Sequence, residues 1–201
     1  GRDQKRLSAI TDEATALGVE AMPVVADIAD PDAREDLLAR LADREVSTLV
    51  NNAGFGIIGD VLDNDPDRLV GMLEVNMVAL TALTRALLPA MVSAGRGTIV
   101  NVASTGSFQP APKMAAYAAS KAYVRSFSVG LHHEVRGTGV RVTCINPGPT
   151  ESGFFEAAGD KSAMRHRRTP AGVVATTFEA LAKGRPSVCL LYTSPSPRDR
   201  G

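Results

Sequence analysis

Tyr117 and Lys121 stand four residues apart in the run Tyr117-Ala118-Ala119-Ser120-Lys121. On a helix that spacing puts both side chains on one face, a turn apart. A free tyrosine titrates at about pH 10 and is a poor base at neutral pH. A neighbouring ammonium favours the phenolate, and a tyrosine tuned in this way can exchange a proton with a carbonyl or alcohol oxygen. The same spacing also describes an ordinary pair of one packing and one surface side chain. The surrounding residues favour the chemical reading. Ser104 lies upstream at the expected carboxyl end of a strand, where open α/β sheets place their ligands. Asn76 falls in a long apolar helical pattern, Asn51-Asn52-Ala53-Gly54 closes another strand pattern, and Pro147-Gly148 follows a third.

The elements that must carry these residues alternate between helical and strand patterns, which predicts a parallel sheet flanked by helices. Helices are expected over 4–17, with Leu7, Ile10, Ala14 and Leu17 on one stripe, and over 31–42, 114–135 and 169–182. A stretch over 66–92 reads as one helix or two, with Leu69, Leu73, Leu80, Leu83 and Leu87 toward the core. Strands are expected over 21–26, 46–50, 98–102 and 140–145, and a last one after Gly184-Arg185-Pro186. Residues 1–188 form one domain without internal repeats. The composition then shifts, and residues 189–201 resemble a translated sequencing adapter, so they are expected to be a non-native tail. No function is ascribed to Cys189 or Tyr192. Gly1-Arg2-Asp3 leads straight into a helix without an initiating Met, and upstream coding sequence is expected to be missing.

Composition narrows the function classes. The 201 residues carry 22 Lys+Arg against 22 Asp+Glu, so charge offers no case for nucleic acid or an anionic membrane as partner. No run is expected to reach the roughly 18 apolar residues of a membrane helix. Two cysteines and three histidines are too few for a disulfide framework or a zinc site, and no metal is expected. A cytoplasmic α/β enzyme fits best. His132-His133 read as a polar helix face, Cys144 as a core residue, and Arg165-His166-Arg167-Arg168 as an exposed loop in which Arg167 or Arg168 could meet an anionic substrate tail. Phe108, Phe154 and Phe155 either line a pocket or pack the core.

In order and spacing, the Asn-Asn-Ala-Gly motif at 51–54, the set Asn76, Ser104, Tyr117 and Lys121, and the Pro-Gly turn at 147–148 resemble the short-chain dehydrogenases/reductases, over about residues 1–188. The resemblance implies a doubly wound, Rossmann-type α/β fold and hydride exchange between a nicotinamide cofactor and a small-molecule carbonyl or alcohol. Tyr117 would be the acid in reduction and the base in oxidation. Ser104 would bind the substrate oxygen. Lys121 would lower the Tyr117 pKa and hold the nicotinamide ribose, and Asn76 would hold a water linking Lys121 to solvent. Asp27 would bind the adenine amino group; Asn51, Ala53 and Gly54 would lie along the adenosine half, and Pro147, Gly148 and Ser152 beside the nicotinamide. Arg2 falls where NADP-preferring relatives carry a basic residue, which points to NADP, with NAD as the alternative.

Residues 149–168 would form much of a lid. Pairing through the long helices, with Ala115, Ala118, Ala119 and Ala122 on one face, would give a homodimer or homotetramer. The family's glycine-rich turn, first strand, first helix and most of the second strand are absent from this chain. The resemblance therefore implies a sheet lacking a central strand, and a fragment whose activity belongs to a longer parent. Two rivals stay open: a non-catalytic regulatory or scaffold relative of the same fold, and an epimerase or dehydratase, which would need a larger C-terminal domain.

Overall fold

The computed structural model describes residues 1–154, 158 and 168–190. Among the described residues the sheet has four strands, β1 (Thr48–Asn51), β2 (Gly97–Val102), β3 (Val140–Pro147) and β4 (Ser187–Leu190), all parallel and in that spatial order. Parallel neighbours need a crossover, and helices supply it. Side chains alternate across a strand, so Ile99 and Val100 of β2 enter opposite layers. Ile99 packs with Val142, Met91 and Leu131 beneath α4 (Leu80–Ser93) and α5 (Ala115–Glu134). Val100 packs with Ile145, Leu190 and Ala180 beneath α6 (Pro170–Ala182). Helices on both faces make this the doubly wound arrangement that the alternating pattern predicted.

Caps set the helix starts. Asp3 accepts from the Arg6 N–H at the start of α1 (Gln4–Ala16). Asp30 and Asp65 precede Pro31 and Pro66 at the heads of α2 (Pro31–Leu41) and α3 (Pro66–Leu73). Thr169 caps α6 through the Gly172 N–H. In each case a short polar side chain satisfies an otherwise unpaired N–H, and a proline is tolerated in the first turn.

Several expectations need correction. The 66–92 pattern is one continuous helix in which a π-helical turn (Glu74–Ala79) separates α3 from α4. That turn shifts the phase of the inward face. Met72, Val75, Asn76, Ala79, Leu80, Leu83, Thr84 and Met91 are buried, whereas Leu69, Leu73 and Leu87 are only partly so. At 28 residues this helix is long and apolar enough to cross a membrane by length and composition, contrary to expectation. Its buried side chains and the polar bonds of Asn76 and Thr84 tie it instead into the domain.

The 21–26 segment is not a ladder strand. Among the described residues its backbone exchanges bonds with Gly1, Ala26 N to Gly1 O and Gly1 N to Val24 O, and a strand exists only by pairing. The expected stripe on α1 is not buried: Ile10 and Leu17 face solvent. At the other end β4 runs two residues past 188, because Leu190 fills a space between Val100, Ile145 and Ala180. Residues 191–201, including Tyr192, lie outside the described residues.

Candidate active site

Because all four strands run the same way, their carboxyl ends lie along one edge. The residues just beyond them, Asn52–Gly54, Ala103–Ser104 and Gly148, share that edge. The Tyr117 end of α5 meets it. Tyr117 and Lys121 are 8% and 5% exposed, an unusual burial for an ammonium. The Lys121 Nζ lies 5.9 Å from the centre of the Tyr117 ring and donates to the Val102 carbonyl at 2.8 Å. Burial brings Lys121 down to about 8, against a small opposing effect of Cys144. The Cys144 thiol, wholly buried in β3, is pushed up to about 11 by the same desolvation.

Burial also raises the Tyr117 pKa above its ordinary value, and the hydrogen bond to Ser104 opposes it. Desolvation is the leading influence on Tyr117. Ser104 starts a short 3₁₀ turn (Thr105–Phe108), where its Oγ accepts from the Gly106 N–H at 3.1 Å.

Asn76 sits in the π-helical turn with its amide fully engaged. Its Nδ2 donates to Phe55 O and to Ser120 Oγ, both at 3.0 Å, and its Oδ1 accepts from Phe55 N at 3.2 Å. The side chain clamps the loop after β1 to α5. A Cβ at Gly54 would lie 2.8 Å from Asn76 Oδ1 and 3.2 Å from Lys121 Nζ. Glycine at 54 is thus required by the protein's own close packing.

The cofactor-side residues divide. Arg2, Asp27, Ala53 and Gly54 line one cleft of ≈ 170 Å³, together with Gly1 and Val75. Asp27 accepts from the Ala29 N–H at 3.0 Å and from Arg2 Nη1 at 3.1 Å. The Ala29 N–H, seconded by Arg2, holds its carboxyl below the usual range against slight desolvation. Asn51, in contrast, turns its side chain inward. Its Nδ2 donates to Thr84 Oγ1 and Asn101 Oδ1, and Asn101 in turn donates to Ser128. Any contact of Asn51 with a ligand must use its backbone. Pro147 ends β3, and the Gly148 N–H is bonded to Leu190 O. Ser152 is exposed, with weak contacts of 3.4 Å to Thr150 O and Phe154 N.

Of the aromatic candidates, the Phe154 ring packs on Tyr117 with centroids 5.3 Å apart and against Gly56, where a Cβ would come within 2.6 Å of its ring. Phe108 is half-exposed beneath the Arg125 guanidinium. Phe155 and Arg165–Arg167 lie outside the described residues; Arg168 pairs through its backbone with Pro149 and Glu151. His132 bonds the Val142 carbonyl through Nδ1. Sequence reasoning missed Ser120 and Asn101. A polar residue in a helix or strand carries no mark of the partner it will meet across the fold.

The short chain dehydrogenase family model matches residues 1–163. An uncharacterised oxidoreductase of Myxococcus xanthus is 39% identical over 155 residues, 76% of this chain and 61% of that protein. The NADP-dependent 3-hydroxy acid dehydrogenase YdfG of Salmonella typhi is 37% identical over 151 residues, 74% of this chain and 60% of that protein. Among solved structures, a short-chain dehydrogenase from Sphingobium yanoikuyae in complex with NADPH superposes with a TM-score of 0.90 at 26% identity, covering 99% of this chain and 79% of that one. The chain belongs to the short-chain dehydrogenase family of oxidoreductases. It spans about 60% of the length of these two curated relatives.

Proposed function

We propose that the chain is the catalytic part of an NADP-dependent oxidoreductase that reduces a carbonyl, or oxidises a secondary alcohol, with Tyr117 as the proton donor and acceptor. The observation that carries this reading is the convergence of Tyr117, Ser104, Lys121 and Asn76 at the carboxyl edge of the sheet, beside a cleft that ends at Arg2 and Asp27. A binding module has no need of a buried ammonium next to a buried phenol.

The donor set fits a phosphorylated dinucleotide. The cleft has an exposed guanidinium at its rim and small residues at its floor, where backbone can approach a flat ring. NADPH, when bound, supplies the hydride. The chain supplies position and a proton: the neutral Tyr117 hydroxyl donates to the substrate oxygen, and the Ser104 hydroxyl stabilises charge developing there. Lys121, poised at about 8, returns the proton. A phenol whose pKa burial raises is protonated at neutral pH, as a proton donor in carbonyl reduction must be. The names of the Salmonella relative and of the Sphingobium complex support NADP over NAD.

Two measurements test the reading. Titration with NADPH and NADH, followed by nicotinamide fluorescence, should show NADPH as the tighter ligand; equal affinity would remove Arg2 from the argument. Turnover of a ketone panel by the parent and by its Tyr117→Phe variant should differ by about a thousandfold or more. Undiminished turnover in the variant would end the catalytic assignment.

A further inference from the structure

Ser120 is completely buried on α5, and its hydroxyl joins two parts of the site. It donates to the Tyr117 carbonyl at 2.7 Å and receives the Asn76 Nδ2 at 3.0 Å. The direction of these bonds is forced. A carbonyl can only accept, so the single hydroxyl hydrogen goes to Tyr117 O. Only lone pairs then face Asn76, which must present its NH₂ group. The second Nδ2 hydrogen goes to Phe55 O, and Oδ1 is left to receive Phe55 N. The Phe55 backbone and the Ser120 hydroxyl thus demand the same orientation of the Asn76 amide, and Ser120 is the one of the two that ties it to α5.

We propose that Ser120 is the positioning residue that locks Asn76, and through it the 53–55 loop flooring the cofactor cleft, to the helix that carries Tyr117. Local preference does not account for a serine here. Alanine is the better helix former, and a serine bonded back to the carbonyl three residues earlier tends to loosen a helix. What the hydroxyl contributes is long-range. Asn76 and Lys121 both occupy the space a Cβ at Gly54 would need, so the same lock bears on the cleft wall that Gly54 lines. Replacing Ser120 with alanine leaves an Asn76 N–H unpaired in a buried site, unties Asn76 from α5, and so loosens the pair of bonds that holds Phe55.

The lock belongs to the protein itself, and only its consequence for turnover rests on the catalytic reading. The test is hydrogen exchange followed residue by residue by NMR on the whole chain, for Ser120→Ala and for the pair Ser120→Thr and Ser120→Val. The last two share shape, and only one keeps a hydroxyl. We expect the Phe55 amide to exchange about tenfold faster in the alanine and valine variants and at the parental rate in the threonine variant, with amides near Leu131 at the far end of α5 unchanged. Should the alanine variant fail to fold, the threonine and valine pair decides alone. Equal Phe55 exchange in threonine and valine variants, whether fast or slow, overturns the proposal, as does acceleration spread evenly along α5. Since Phe55 exchange needs neither cofactor nor turnover, an active Tyr117→Phe enzyme would end the catalytic reading and leave this result standing.

Discussion

Two regions of the molecule hold their polar groups in opposite ways. Around α5, β2 and β3 the polar side chains are buried and bonded to one another across elements: Asn51 to Asn101 to Ser128, Asn76 to Ser120, and Asn146 to Ser107 and Ser187. Along residues 1–50 the ion pair of Arg2 and Asp27 lies near the surface, and Val25 and Val50 are 58% and 56% exposed. A buried hydrogen bond resists loss because the partner left behind is unpaired away from water. A surface ion pair contributes about 1 kcal/mol at most, since water replaces it and salt screens it. The polar network around α5, β2 and β3 is therefore costly to break. The ion pair along residues 1–50 is held more lightly.

This contrast can be broken or sharpened by substitution. The largest effect belongs to Tyr117→Phe, a loss of turnover of about a thousandfold with circular dichroism unchanged. Next is Asn101→Ala, which strands Asn51 and Ser128 in the interior. We expect it to lower urea-unfolding stability by about 3 kcal/mol, and a value under 1 kcal/mol would mean the network is not what stiffens this region.

Lys121→Met tests the cost of the buried ammonium. With a folded pKa of about 8 against 10.5, the folded chain binds fewer protons than the unfolded chain between those values. The Lys121 contribution to stability therefore rises with pH across that window, and below pH 8 its penalty is complete. Relative to the parent, the methionine variant should be more stable at pH 7.5, with about 2 kcal/mol of that advantage gone by pH 9.5. It should also lose cofactor affinity and turnover. A pH-independent difference would show that Lys121 is more hydrated than its burial indicates. The smallest structural effect is expected from Arg2→Ala: under about 0.5 kcal/mol in stability, but several-fold weaker NADPH binding, with NADH unaffected and a flatter salt dependence.

Legibility in the sequence follows the same division. Tyr117 and Lys121 share a face because four residues make about one helical turn, whatever surrounds them. Ser104 and Gly148 were placed because parallel strands carry their functional loops at one end. Gly54 was singled out for its lack of a side chain, and the close packing of Asn76 and Lys121 there was not legible. The 21–26 pattern failed as a strand, although its residues suit one, because pairing depends on what lies alongside rather than on its own composition. The leucine stripe of the 66–92 helix was legible, since Leu80 and Leu83 are buried and Leu69, Leu73 and Leu87 pack against the core, but the π-helical turn that adds Val75 and Asn76 leaves no period in the sequence.

What the sequence by itself determined is the periodic part: the alternation that makes a doubly wound sheet, the capped helix starts, and the family motifs with the side chains they carry. These depend on neighbours within a few residues, where backbone geometry alone fixes direction. The tertiary structure decided how those side chains behave. Burial raises the Tyr117 pKa, and Ser120 and Asn101 find partners 44 and 50 residues away in the chain. Desolvation and hydrogen-bond partnership are properties of assembled surroundings, and only the folded chain assembles them.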